Sequence, residues 1–212
     1  MGDCNPCLLP MNPGTTLTKA KPHESLNEVE KKRYQVMIGS LGYLMNCSRP
    51  DIAFAVRKLG LYIVCPSEKH LIATKYVFRY IKNTIDAYIS IGRYQLLDNS
   101  EDIPPVSAFF DASFADDVDN RRSMFGYMIQ FGRTTILWKS KKHKSVTLST
   151  TDSEYVATTE TTREISWIQN IFEEISIPLK LPITLYGDNA NANGLANNVT
   201  VTAPVRRSSY CS

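Results

Sequence analysis

The stretch VSAFFDASFADD, residues 106–117, decides how this chain is read. Behind Pro104-Pro105, Val106 and the run Ala108-Phe109-Phe110 stop at Asp111, the pattern of a buried strand that delivers one carboxylate to the rim of a sheet. An acid in that place needs a reason, because a buried unpaired charge is costly. Taken alone, Asp111 opens a turn or accepts backbone donors. Two further acids change the weighing: Glu154 stands near the start of a predicted helix, and Asp188 follows another short apolar strand. Two strand ends and a helix start can bring three carboxylates to one divalent cation, and hard Mg²⁺ takes oxygen ligands.

Downstream of Asp111 a polar turn over 116–123 carries adjacent Arg121 and Arg122, followed by Ser123. A strand over 125–131 turns at Gly132-Arg133 into another over 134–139, an antiparallel meander. Ser149-Thr150-Thr151 caps a long helix whose buried side is read as Val156, Ile165, Ile168, Ile171, Phe172 and Ile175. Asp152 competes with Glu154 for the site, but two helical residues are about 200° apart, so only one of them faces inward. Pro178 and Pro182 bracket the exit, a strand covers 183–186, Asp188 stands at its end, and a short helix is expected from Asn189 to about residue 198.

Upstream the grammar differs. Apolar residues recur at three- and four-residue steps in three segments. The first ends at Ser48-Arg49-Pro50, the second is expected to be capped by Asp51, and the third is capped by Ser67. The charges on these segments (Arg57, Lys58, Lys75, Arg79 and Lys82) are read as a solvated face. A short strand is expected over 87–91, and the acidic, two-proline linker over 97–105 marks a domain boundary. The expectation is a helical part over residues 1–97 and an α/β domain over 105–212.

The chain has 212 residues, 43% of them hydrophobic, and a net charge of +3, enough for one domain plus an extension and too mild a charge to name a partner. No apolar run approaches the roughly 20 residues a bilayer span needs, and no secretory signal follows Met1, so an intracellular protein without membrane contact is expected. The five cysteines lack a disulfide framework and are read as reduced thiols. Cys4-x-x-Cys7 is half of a zinc pattern without a second pair.

Three strands, a helix, a strand and a helix, with acids at those three points, is the order of the ribonuclease H fold. The residues carry the likeness further. YQVMIGSLGYLMNCSRPDIAFAV (34–56), FFDASFADD (109–117), RRSMFGYMI (121–129), ILWKSKKHKSVTLSTTDSEYVA (136–157) and LYGDNANANGLANN (185–198) resemble, in order, the C-terminal part of the Pol polyprotein of copia-like long-terminal-repeat retrotransposons. The resemblance implies a reverse transcriptase tail followed by an RNase H-like mixed sheet with flanking helices. It implies a catalytic and metal-binding trio of Asp111, Glu154 and Asp188, two Mg²⁺ ions, and an RNA–DNA hybrid as substrate, with the polymerase part of Pol as a further partner. The polymerase palm has no counterpart here, and Ala115-Asp116-Asp117 falls in a turn, so polymerase chemistry is not expected.

Candidate nucleic-acid contacts are Arg121, Arg122, Ser123, Asn189 and the cluster Lys141, Lys142, Lys144, which is either a solvated loop or a phosphate site. Trp138 and Trp167 are read as core. In the family the pattern ends with a His and a fourth Asp. Here VTVTAPVRRSSYCS (199–212) holds no acid, which reads as a truncated copy lacking a fourth ligand. Two functions therefore stand: a Mg²⁺-dependent RNase H, and a remnant that keeps the fold, binds nucleic acid weakly at most and hydrolyses nothing.

Overall fold

The computed structural model describes residues 4–91 and 105–188. Asn27 opens the first helix, α1 (Glu28–Cys47), by accepting the Glu30 N–H at 2.9 Å, and the Ser48 and Arg49 N–H groups close it on the Leu44 carbonyl. A 3-10 turn (Pro50–Ile52) then leads into α2 (Ala53–Gly60), so Asp51 does not cap that helix. Its carboxylate instead receives the buried Arg49 guanidinium, at 3.0 and 2.8 Å, and the Tyr80 hydroxyl. Ser67 does open α3 (Glu68–Asn83), its backbone N–H donating to His70 Nδ1 at 2.9 Å. Tyr34, Leu41, Ile52, Leu59 and Val77 are the centre of the core these helices share.

The strand expected over 87–91 does not form. Tyr88 and Ile91 lie exposed there, and among the described residues no strand pairs with the segment, whose Ser90 carbonyl accepts the Thr134 hydroxyl at 3.2 Å. The linker expected over 97–105 lies outside the described residues except for Pro105, which opens β1, and the helix expected from Asn189 to about residue 198 lies outside them.

The second part is the expected α/β unit. Strands β1 (Pro105–Ser113), β2 (Met124–Phe131) and β3 (Thr134–Lys142) form an antiparallel meander, and β4 (Lys180–Tyr186) adds in parallel to β1, giving the order β3-β2-β1-β4. A four-stranded mixed sheet with helices beside it is consistent with an RNase H-like fold. Helix α4 (Thr150–Glu174) links β3 to β4 and covers one face of the sheet. Against it β1 buries Val106, Ala108, Phe110 and Ala112, every second residue, and β2 adds Phe125, Tyr127 and Ile129.

Two expected core positions are corrected. Trp167 and Ile175 of the α4 segment are 54% and 55% exposed. The buried stripe keeps the expected Ile165 and Ile168 and continues through Thr161 and Ala157, one turn apart, which rotates Trp167 away from the sheet.

The two parts meet along β3 and the β1–β2 turn. Trp138 Nε1 donates to the Met45 carbonyl at 2.7 Å while its ring packs on the helical core, and Arg57 Nε donates to the Ser140 carbonyl. Lys58 pairs with Asp116 at 2.8 Å, and the Lys19 N–H reaches Asp119. Among the described residues no helix is long and apolar enough to cross a membrane.

Candidate metal centre

Pairing between β1 and β4 ends at Phe109↔Tyr186, so the chain leaves β4 through Gly187 and Asp188 beside Phe110 and Asp111. Asp111 itself stays in the ladder, opposite Gly126 of β2, because β1 runs on to Ser113. The third acid comes from α4. Ser149 accepts the Asp152 N–H at 3.0 Å to start that helix, and the Asp152 carboxylate turns back to the Leu148 N–H, also at 3.0 Å. Asp152 is thereby part of the helix start, and Glu154 is the acid facing the sheet.

Glu154 is 2% exposed. Its Oε1 accepts the Ala112 N–H at 3.1 Å, just past the point where β4 stops pairing with β1. Its Oε2 is buried and has no partner. Asp111, Glu154 and Asp188 each place a carboxylate oxygen within 4.8 Å of the others, and no other group of three His, Cys, Asp or Glu among the described residues is so arranged. Burial pushes the Glu154 carboxyl above its ordinary range; the Ala112 N–H opposes this, and the Asp111 and Asp188 charges add to it.

An orphaned buried oxygen, three hard donors and mutual repulsion are together what a divalent cation would relieve, so the residues fit Mg²⁺. Asp111 and Asp188 are exposed at the mouth. The Ala112 donor could not be seen from side-chain pattern, since any residue supplies a backbone N–H.

The residues expected to meet nucleic acid are dispersed. Ser123 is fully buried, its hydroxyl accepting the Ala115 N–H and meeting Thr147 Oγ1. Lys141 and Lys142 belong to β3 rather than to a loop, and neighbouring strand residues face opposite ways. Lys141 accordingly pairs with Glu160 of α4 and Lys142 with the buried Asp117 on the other side. Lys144 and Arg121 are exposed, and Arg121 takes a positive φ of 53° in the turn. Arg122 is partly buried, and Asn189 lies outside the described residues. Asp117, which accepts from the Asp119 N–H and Asn120 as well as Lys142, builds the turn that holds these residues.

The chain is 35% identical over 175 residues to a retrovirus-related Pol polyprotein from the transposon TNT 1-94 of Nicotiana tabacum, covering 82% of this chain. It is 33% identical over 193 residues to the corresponding Pol polyprotein from transposon RE1 of Arabidopsis thaliana, covering 91% of this chain. The chain is a homologue of retrovirus-related transposon Pol polyproteins. This Pol-related chain spans about 12% of the length of those two relatives. A third relative, the secreted RxLR effector protein 161 of Plasmopara viticola, is 35% identical over 135 residues, which are 64% of this chain and 90% of that protein. No family model matches the chain, and no solved structure does.

Proposed function

We propose that this Pol-related chain carries a ribonuclease H-type endonuclease that hydrolyses the RNA strand of an RNA–DNA hybrid with Mg²⁺, beside the polymerase part of a Pol chain. The observation that supports it most is the convergence of Asp111, Glu154 and Asp188 around an unpartnered buried oxygen. These three residues would hold the metal. When bound, Mg²⁺ would polarise a phosphoryl oxygen as a Lewis acid and would lower the pKa of a bound water, whose hydroxide form can attack the phosphorus.

The chain's own groups do the rest. The Ala112 N–H fixes Glu154 Oε1 and leaves the buried Oε2 without a partner, while Asp111 and Asp188 are exposed and would meet a phosphodiester. Exposed Arg121 and Lys144, and Arg122 beside them, would steer the polyanion, with Asn189 available for sugar or phosphate. Lys141 and Lys142 join them only by giving up their carboxylate partners.

Asp111→Asn removes one shared ligand without changing shape. Thermal melts of wild type should shift upward with Mg²⁺, since a ligand bound by the native state alone stabilises it, and the variant should show neither that shift nor hybrid cleavage. Identical melts of both proteins with and without Mg²⁺ would leave a relative that keeps the fold and has lost the chemistry.

A further inference from the structure

Two of the three acids are preceded by residues that touch each other. Phe110 stands immediately before Asp111, and Gly187 immediately before Asp188. Continuing the parallel register past Phe109↔Tyr186 lays Gly187 over the Phe110 ring. The approach is close: a Cβ built on Gly187 would sit 2.2 Å from Phe110 Cζ, 2.6 Å from Cε1 and 2.9 Å from Cε2. Gly187 does not occupy the left-handed region, so glycine is required here by space and not by backbone conformation. The ring has no room to retreat. Phe110 is 6% exposed and belongs to the core between the sheet and α4, and close-packed interiors resist displacement of a large side chain.

We infer that the Phe110–Gly187 contact is the positioning element of the carboxylate cluster: the flat ring sets how near the chain leaving β4 comes to β1, and therefore how near Asp188 comes to Asp111 and Glu154. A side chain at 187 would lift the segment off the ring and carry Asp188 with it. Neither residue offers an atom to a cation, so both act through Asp188. Supports of this outer kind typically govern about 10- to 100-fold in metal affinity.

This inference rests on the reading of the three acids as a cation site, and the experiment separates the two. Mg²⁺ affinity is measured by calorimetry and by the Mg²⁺-induced shift in melting temperature for wild type, Gly187→Ala, Phe110→Leu and the double variant, with far-ultraviolet circular dichroism confirming the fold of each. Gly187→Ala should bind Mg²⁺ about tenfold or more weakly. Phe110→Leu, which removes Cζ and both Cε atoms, should restore affinity to the Gly187→Ala protein even though its core is less well filled. A merely structural role predicts the opposite, since two destabilising changes would accumulate without rescue. Wild-type affinity in Gly187→Ala, or a double variant that binds no better than Gly187→Ala, overturns the positioning role. Should Gly187→Ala fail to fold, the double variant must fold and bind Mg²⁺, and its failure to bind overturns the role equally. If wild type binds no Mg²⁺ at all, the cation reading itself falls and takes this inference with it.

Discussion

His143 shows what a single residue can cost. It follows β3 directly, within a basic run, and is 3% exposed, with its ring edge-on to Phe125 at 4.9 Å and neither nitrogen bonded. Burial holds its pKa below the ordinary value; Lys141 pushes the same way, while Asp152 and Glu160 oppose. A base with a depressed folded pKa favours folding above the unfolded value of about 6.5, and that stability is lost as pH falls toward the folded pKa. His70, also buried, is shifted the same way, again by burial first. Urea melts of wild type should therefore weaken from pH 7 to pH 5. His143→Leu should make that slope shallower, because the proton linked to His143 is gone. An unchanged slope would mean that His143 titrates freely. Sequence could not have found this residue: within Lys-Lys-His-Lys it reads as one more solvated base, and only the fold turns it inward.

Among the elements, α4 has the most to place, since it carries Glu154 and covers the sheet. Its start was legible, because Ser149 with acids behind it is a capping pattern, and Ser149→Ala should lower stability by about 1 kcal/mol in chemical denaturation. Its buried face was less so. Ala157 and Thr161 are fully buried, and small or hydroxylated residues carry little weight in a hydrophobic pattern, whereas exposed Trp167 and Ile175 carry much. The strands were recognised in kind and order but cut short. Ala112 continues the alternation of β1 beyond Asp111, and Lys141-Lys142 continue β3 in residues that composition assigns to a loop. The three acids were legible because each stands beside an apolar run or a capping pattern that sequence marks, although Asp111 lies inside β1, which runs on to Ser113, and Glu154 lies inside α4. Gly187 and the Ala112 N–H were not, since their contribution lies in space left open and in backbone.

For the molecule as a whole, the contacts between the helices and the α/β unit matter more than the break in periodicity suggested. Lys58 and Asp116 are 11% and 16% exposed, and removing one partner of such a pair strands the other's charge away from water. Lys58→Ala should cost about 3 kcal/mol, and Trp138, which sits at the same junction, supplies the fluorescence to follow it. If the two parts are separable, the variant should show the Trp138 signal changing before the circular dichroism does, whereas coincident transitions would make the helices part of one cooperative unit.

The pairing of Ser107 with Thr184 also has a consequence in time. On a ribosome β1, β2 and β3 emerge together and can close their meander, but the open side of β1 must wait until α4 and β4 have been made. Through that interval Phe110 lacks its cover and a row of backbone donors and acceptors stands unpaired, the condition under which nascent strands join the wrong neighbour. Chaperone dependence and inclusion-body formation during expression should accordingly track the delay before residue 184 appears, independently of how stable the finished protein is.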